Sequence, residues 1–279
     1  MRANDQIFAR MRSHGTLLCV GLDPDRHKLP IEVLEKPGTD EEKVFDFLQG
    51  VIDATGAYVC AYKAQKAFFD LLPGGHDVLK EIVHYVHQKQ PGVPIIIDCK
   101  IGDIYNTMEA YIENLFGSIQ ADGIVVNPYM GDDVIVPLIK LADKAIVVLV
   151  KTSNASGSIV QDIVLSDGRL LWQYLLDLLV NHWNKNDNMI PVLSSISGLD
   201  VMKTRLLIPN TMPILLAGVG AQGGNYDDLP NLLNSEGVGV FVNSSRNILY
   251  PASSEPWRAA IATAAVEMKE TLNQAGRTL

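Results

Sequence analysis

The sequence IIIDCKIGDI, residues 95–104, places charged side chains directly after three β-branched apolar residues. A short apolar run of this kind is typical of a strand that is buried on both faces, as in a parallel sheet. Side chains alternate between the two faces of a strand, so Asp98 and Lys100 are expected to share one face and Cys99 the other. We therefore expect a carboxylate and an ammonium group side by side where a buried strand ends. Asp103 lies beyond the strand and can join them only from a loop.

Similar apolar runs recur along the chain and alternate with segments of helical periodicity, such as HDVLKEIVHYVHQK. Eight runs are predicted to be strands: residues 16–22, 57–62, 93–97, 123–126, 145–150, 189–193, 213–217 and 238–242. Alternating strands and helices predict an α/β fold with a parallel sheet, and eight units predict its closure. We expect residues 1–279 to form a single-domain (β/α)8 TIM barrel with an N-terminal helix. A doubly wound open sheet is the alternative.

The composition is that of a globular protein, with 47% hydrophobic and 20% charged residues in 279. A net charge of −9 disfavours nonspecific binding to nucleic acid or to an anionic membrane surface. The N-terminal residues contain neither a signal-peptide pattern nor an apolar run long enough to span a bilayer. The three cysteines lie in different apolar runs, which predicts free thiols in a reducing cytoplasm. His84 and His87 lack further ligands at metal-binding spacing, so no metal site is predicted.

Polar or charged residues follow most of the predicted strands. They include Asp23, Lys63, Asp98, Lys100, Asn127, Lys151, Ser153, Asn243 and Arg246. In a barrel of this type the active site lies at the carboxyl-terminal ends of the strands. Pairing of each charge with a neighbour for barrel closure would be a structural alternative. The accumulation of so many polar groups at one rim favours a binding or catalytic site.

The sequence AGVGAQGG, residues 217–224, follows the seventh strand, and Arg246 follows the eighth. Glycine-rich loops can direct backbone N–H groups at an anion, and barrels frequently bind phosphate after strands seven and eight. The guanidinium group of Arg246 suits phosphate oxygens. We therefore predict a phosphate site here, a simple tight turn being the alternative.

Together these motifs resemble the orotidine 5′-phosphate decarboxylase family, whose members produce UMP. The resemblance covers nearly the whole chain. The extended connections and the QGG segment are similar to those of the longer bacterial branch of the family. The resemblance rests on GLDPD (21–25), AYKAQKAFF (61–69), DCKIGDIYNT (98–107), NPYMGDD (127–133), KTSN (151–154), GVGAQGG (218–224) and SSR (244–246).

The resemblance implies the roles of individual residues. Four would be catalytic: Lys63, Asp98, Lys100 and Asp103. Eight would bind substrate: Asp23, Ile104, Thr107, Ser153, Gly220, Gln222, Ser245 and Arg246. Asp23, Lys63 and Thr107 would bind the ribose hydroxyl groups or support their contacts. Ser153 would contact the pyrimidine amide, and Gln222 with Arg246 would bind the phosphate. Ile104 would line the pocket.

The resemblance also implies a lyase that decarboxylates orotidine 5′-monophosphate in the last step of de novo UMP biosynthesis, without metal or cofactor. Lys100 would stabilise and protonate a carbanion at C6, with Asp98 near the departing carboxylate. Asp103 would come from the partner subunit of a homodimer, which explains how a loop residue reaches the site. A cytoplasmic location is expected.

Three other functions fit parts of this pattern. A Mg²⁺-dependent sugar-phosphate decarboxylase or synthase shares the barrel and the DxKxxD pattern, but Lys63 occupies a position where it would repel a metal. A Schiff-base aldolase would use Lys63, Lys100 or Lys151. A non-catalytic protein that binds a phosphate ligand would retain the charges only as structural ion pairs.

Overall fold

The computed structural model describes residues 1–194, 201–218 and 226–277, and eight parallel strands in this part of the chain close into a barrel. The strands are β1 Leu18–Leu22, β2 Ala61–Gln65, β3 Ile95–Ile101, β4 Gly123–Val126, β5 Ala145–Leu149, β6 Met189–Ser194, β7 Ile214–Ala217 and β8 Val240–Ser244. Each strand pairs with the next, and β1 pairs with β8 through Leu18 and Val242. The predicted (β/α)8 TIM barrel is therefore confirmed, and the open sheet is excluded.

Helices connect the strands around the outside of the barrel. Those described are α1 Ala3–His14, α2 Ile31–Leu34, α3 Asp40–Thr55, α4 Lys66–Phe69, α5 Gly75–Lys89, α6 Tyr105–Ile112, α7 Asp132–Ile139, α8 Ser158–Gln161, α9 Leu171–Asp177, α10 Val201–Leu207, α11 Leu229–Leu232, α12 Arg246–Leu249 and α13 Trp257–Ala275. Wider π-type turns extend α6 over Glu113–Ser118 and α9 over Leu178–Trp183, and 3₁₀ turns span Pro128–Met130 and Ala155–Gly157. At the start of α3, Thr39 and Glu42 form a capping box, which satisfies two backbone N–H groups.

The strands form the core because their residues are apolar on both faces. All five residues of β1 and all four of β4 are buried, as expected for strands packed between the barrel interior and the helices. Several observed strands extend beyond the predicted runs: β2 continues through Lys63 to Gln65, and β3 continues to Ile101. The predictions ended too early because the apolar pattern stops at the first charge, whereas the backbone ladder does not.

The N-terminal helix α1 lies across the amino-terminal end of the barrel. Ile7 and Met11 are buried, and the side chain of Asn4 donates to the carbonyl oxygen of Asp187, just before β6. The guanidinium group of Arg10 donates to the carbonyl oxygens of Gly56 and Val59, before β2. Backbone groups that would otherwise be unpaired at this end are thus satisfied.

None of the helices in the described ranges combines the length and the apolar character that a bilayer crossing requires.

Candidate active site

Three charged side chains meet at the carboxyl-terminal end of the barrel. Asp98 receives the Lys63 ammonium group on one carboxylate oxygen, with Nζ 3.0 Å from Oδ2, and the Lys100 ammonium group on the other, with Nζ 2.6 Å from Oδ1. We call Lys63, Asp98 and Lys100 the charged array. The predicted proximity of Asp98 and Lys100 is confirmed. The side chains of Lys63 and Asp98 are 8% and 10% exposed, whereas that of Lys100 is 46% exposed and reaches the open end of the barrel.

Backbone register brings Lys63 to Asp98. Lys63 pairs with Gly21 on one side and Ile96 on the other, and Gln65 pairs with Asp98. Asp98 therefore lies two residues further along β3 than the partner of Lys63. The long lysine side chain spans this diagonal offset between neighbouring strands.

The backbone at Lys100 departs from the regular extended conformation of a strand. Its φ angle is +46°, in the left-handed region that non-glycine residues seldom occupy. The pairing of β3 with β4 is irregular between Ile97 and Ile101, as in a β-bulge. Such bulges redirect side chains next to active sites, and backbone strain of this kind costs of the order of 1–3 kcal/mol. The strand end is thus bent to orient the lysine.

The loop after β3 crosses the end of β4. A Cβ atom on Gly102 would overlap the carbonyl oxygen of Asn127, so only glycine fits without displacement of the backbone. Asp103 follows, and its carboxylate accepts the backbone N–H of Ile104 at 2.8 Å. Asp103, Ile104 and Thr107 are not among the residues that line the cavity beside the charged array. In its own chain, Asp103 therefore does not form part of the cavity wall.

The array remains charged because its members stabilise one another. Burial by itself would raise the pKa of Asp98, but the two neighbouring ammonium groups outweigh this and the pKa is lowered overall. Burial would lower the pKa of Lys63, but the negative charges of Asp23 and Asp98 outweigh it and the pKa is raised overall. Both groups are therefore ionised at neutral pH.

A cavity of about 460 Å³ opens above the array. It is large enough for a nucleotide-sized ligand. Of the predicted site residues, seven line it: Asp23, Lys63, Asp98, Lys100, Ser153, Ser245 and Arg246. Gly220 and Gln222 lie outside the described residues. The cavity therefore joins the array to the ends of β1, β5 and β8.

The far side of the cavity contains the residues predicted to bind phosphate. Ser245 and Arg246 follow β8, and Ala217 and Gly218 follow β7. Space for Ser245 depends on β1, because a Cβ atom on Gly21 would overlap the serine hydroxyl group. The missing side chain at Gly21 thus permits close approach of the loop after β8.

The cavity wall also contains nine polar residues that were not predicted as site residues: Asp25, Lys28, Gln65, Thr152, Asn154, Asn243, Ser244, Asn247 and Tyr250. Gln65 could have been found, because it lies two positions after Lys63 and so shares its strand face. Asn243 carried a signal as well, since it follows the eighth apolar run. Tyr250 offered none: its hydroxyl group accepts the backbone N–H of Asp25 at 2.7 Å, a contact between residues 225 positions apart.

In the parts of the chain that the structure describes, no group of three or more His, Cys, Asp and Glu side chains is arranged to hold a metal ion. His87 instead contacts Asp122, with Nε2 2.8 Å from Oδ2, and the same carboxylate oxygen accepts the backbone N–H of Ile95. This histidine therefore lies at the start of β3, at the opposite end from the charged array.

Comparisons with known proteins agree with one another. The model of the orotidine 5′-phosphate decarboxylase / HUMPS family matches residues 16–260. The chain is 36% identical to orotidine 5′-phosphate decarboxylase of Cupriavidus taiwanensis over 98% of both chains. It is 37% identical to that of Ralstonia pickettii, over 98% of this chain and 99% of the relative. The fold superposes on the OMP decarboxylase structure of Leishmania donovani with a TM-score of 0.83 and 28% identity, over 99% of both chains.

Proposed function

Since the chain belongs to the orotidine 5′-phosphate decarboxylase / HUMPS family, we propose that it is a carboxy-lyase that converts orotidine 5′-monophosphate to UMP in pyrimidine biosynthesis. The observation that supports this most directly is the charged array, with Lys100 2.6 Å from Asp98 beside the cavity. The reaction needs a cation where negative charge develops on carbon, and Lys100 provides one. The similarity to proteins named orotidine 5′-phosphate decarboxylase extends over nearly the whole chain, which supports orotidine 5′-monophosphate as the substrate.

In this proposal the phosphate group binds near Ser245 and Arg246, and the pyrimidine near Ser153 and the array. Gly220 and Gln222 would complete the phosphate contacts, and Asp23 with Lys63 would contact the ribose. Loss of CO₂ from C6 leaves an electron pair in an sp² orbital that the ring cannot delocalise. The Lys100 ammonium group stabilises this pair and then donates its proton to C6.

Coulomb's law allows repulsion of the substrate carboxylate to be compared with stabilisation of the carbanion. The Asp98 carboxylate and the substrate carboxylate, if 4 Å apart, repel by about 4 kcal/mol at an effective dielectric constant of 20. Full relief of this repulsion would accelerate the reaction roughly a thousandfold. Enzymatic accelerations correspond to about 8–23 kcal/mol, so repulsion alone is too small for a very slow reaction. Stabilisation of the carbanion by preorganised positive charge therefore contributes the larger share.

We infer that the enzyme acts as a homodimer in which Asp103 enters the partner subunit's site. Exposed apolar side chains follow Asp103 along α6 and continue on two neighbouring elements, the 3₁₀ turn after β4 and α7: Ile104, Tyr105, Tyr111, Tyr129, Met130 and Val136. Contiguous apolar exposure of this kind is typical of a surface covered by another protein. Ile104 and Thr107 would then lie at the boundary between the two subunits.

Mixing two inactive variants tests the shared site. Lys100→Ala and Asp103→Asn disable different halves of each site, so a mixed dimer contains one intact site and one doubly altered site. After subunit exchange at equal concentrations, about a quarter of wild-type activity should return. No recovery in a mixture that contains mixed dimers by native mass spectrometry would place Asp103 in the site of its own subunit, or in none.

The other candidate functions fit the site less well. In the charged array Lys63 is buried and ionised against Asp98, so it lacks the neutral amine that a Schiff base requires. Its charge also disfavours a metal ion at Asp98. The discriminating assay follows the loss of orotidine 5′-monophosphate absorbance and the formation of UMP, with and without EDTA. Turnover unaffected by EDTA supports the proposal; loss of turnover that Mg²⁺ restores supports the metal-dependent alternative, and UMP binding without turnover supports a binding protein.

A further inference from the structure

The segment that follows β5 contains a second buried lysine. Lys151 is 2% exposed, and its backbone N–H donates to the carbonyl oxygen of Val192 in β6 at 3.0 Å. Its Nζ atom lies 2.5 Å from Oδ1 of Asp162, eleven residues later. A buried ammonium group that loses its carboxylate partner is strongly unfavourable. Asp162 therefore holds the end of this segment against its beginning.

A second pair of side chains reinforces the first. The backbone N–H of Thr152 donates to Gln161 Oε1 at 3.0 Å, and Gln161 Nε2 donates to Thr152 Oγ1 at 2.7 Å. The Thr152 hydroxyl group in turn donates to Asn154 Oδ1 at 2.6 Å. We call Lys151, Thr152, Gln161 and Asp162 the clamp, because its two pairs join residues 151–152 to residues 161–162.

Apolar packing contributes little to this segment. None of the four residues of α8, all of them described, is buried. Ile159 is 74% exposed, and Val160 and Ile163 are each 50% exposed. With so little apolar burial, this segment depends on polar contacts: those of the clamp, and the hydrogen bond from the backbone N–H of Leu171 to the carbonyl oxygen of Ile163.

Ser153 lies immediately after the two residues that the clamp fixes, and it lines the cavity with Thr152 and Asn154. We propose that the clamp positions Ser153 for the pyrimidine, so that Asp162 and Gln161 are positioning residues although neither lines the cavity. The inference rests on the proposed function, in which Ser153 contacts the pyrimidine amide. Displacement of a positioning group by about 1 Å can reduce a rate by about a hundredfold.

A double-mutant cycle tests the coupling. We expect Asp162→Asn to lower kcat/KM for orotidine 5′-monophosphate by about tenfold or more, and Asp162→Glu to restore part of it. If the clamp acts through Ser153, Asp162→Asn should have little further effect in a Ser153→Ala background. Asp167→Asn is the matched control, because Asp167 forms an exposed pair with Arg169 shortly after the same segment and should leave kcat/KM unchanged.

Amide hydrogen exchange without substrate provides a readout independent of catalysis. In Asp162→Asn, residues 152–162 should exchange at least tenfold faster than in the wild type, while the β strands remain protected. Multiplicative losses in the double variant, or unchanged exchange in this segment, would overturn the proposal. If Asp162→Asn does not fold, Gln161→Leu replaces it in both experiments. If the wild type fails to decarboxylate the substrate, the proposed function fails, whereas the exchange data still decide whether the clamp holds the segment.

Discussion

Some polar side chains at the amino-terminal end of the barrel donate to backbone carbonyl groups, whereas the charged array at the carboxyl-terminal end joins side chains to one another beside a cavity. Arg10 donates to Gly56 and Val59, and the Asn188 amide donates to Leu138 and Leu141. At the opposite end, Lys63 and Lys100 converge on Asp98 beside about 460 Å³ of open space.

The difference shows how one fold separates stability from chemistry. A side chain that satisfies a backbone carbonyl group contributes to folding and has little capacity left for a ligand. Charges that are gathered beside a cavity are costly to bury and gain most from a ligand that complements them. Substitutions at the two ends should therefore affect different measurements.

The largest effect is expected at Lys100. Lys100→Ala removes the proposed cation and proton donor, so kcat should fall by about a thousandfold or more, while UMP still binds. Fixed-time assays of UMP formation measure kcat, and calorimetric titration with UMP measures binding. Lys36→Ala serves as the control, because it removes an exposed partner of Asp46 and neither residue lines the cavity. Retention of a tenth of wild-type kcat would exclude Lys100 as the donor.

A smaller effect is expected at the phosphate end. Arg246→Ala removes a charged hydrogen-bond donor, which corresponds to a loss of about 10- to 100-fold in kcat/KM. Most of this loss should appear as a higher KM, because in the proposed binding mode the phosphate lies far from the reacting carbon. Arg258→Ala on α13 is the matched control, since Arg258 does not line the cavity. An unchanged KM would remove Arg246 from the phosphate site.

At the amino-terminal end the expectation is reversed. Arg10→Met leaves the carbonyl groups of Gly56 and Val59 without their donor, so the free energy of unfolding should fall by about 2 kcal/mol while kcat and KM stay unchanged. Urea denaturation measures the loss. Arg12→Met, on the same helix, removes an exposed pair with Glu236 and should cost less than 1 kcal/mol. Loss of activity without loss of stability in Arg10→Met would contradict the division between the two ends.

The smallest effect concerns pH. The pKa of Asp98 is lowered in the folded state, so its contribution to stability is present above its unfolded pKa of about 4 and is lost as the pH falls through the folded value. Asp98→Asn lacks this contribution at every pH. The stability difference between wild type and variant should therefore shrink as the pH falls below about 4. A difference that stays constant in urea denaturation as the pH is lowered below about 4 would show that Asp98 is not stabilised in its ionised form.

The barrel and one contact in its site could be predicted because each has a local signal. Eight apolar runs predicted the strands, and the spacing of Asp98 and Lys100 predicted their contact. The left-handed backbone at Lys100 could not be predicted, because it results from the irregular pairing of β3 with β4. The position of Tyr250 against Asp25 and the pairing of Lys151 with Asp162 likewise depend on how distant or looping segments pack. Sequence patterns report which polar residues follow the apolar part of a strand, whereas packing decides where the strand ends and where its side chains point.

At Lys100 the backbone conformation favours one residue type and the proposed reaction requires another. Glycine adopts that conformation without penalty, so a library randomised at this position and sorted by cellular abundance should enrich glycine. The same library sorted by growth without uracil should retain lysine, because glycine has no ammonium group to offer. Disagreement between the two selections would mark a residue kept for its reaction despite its effect on the fold.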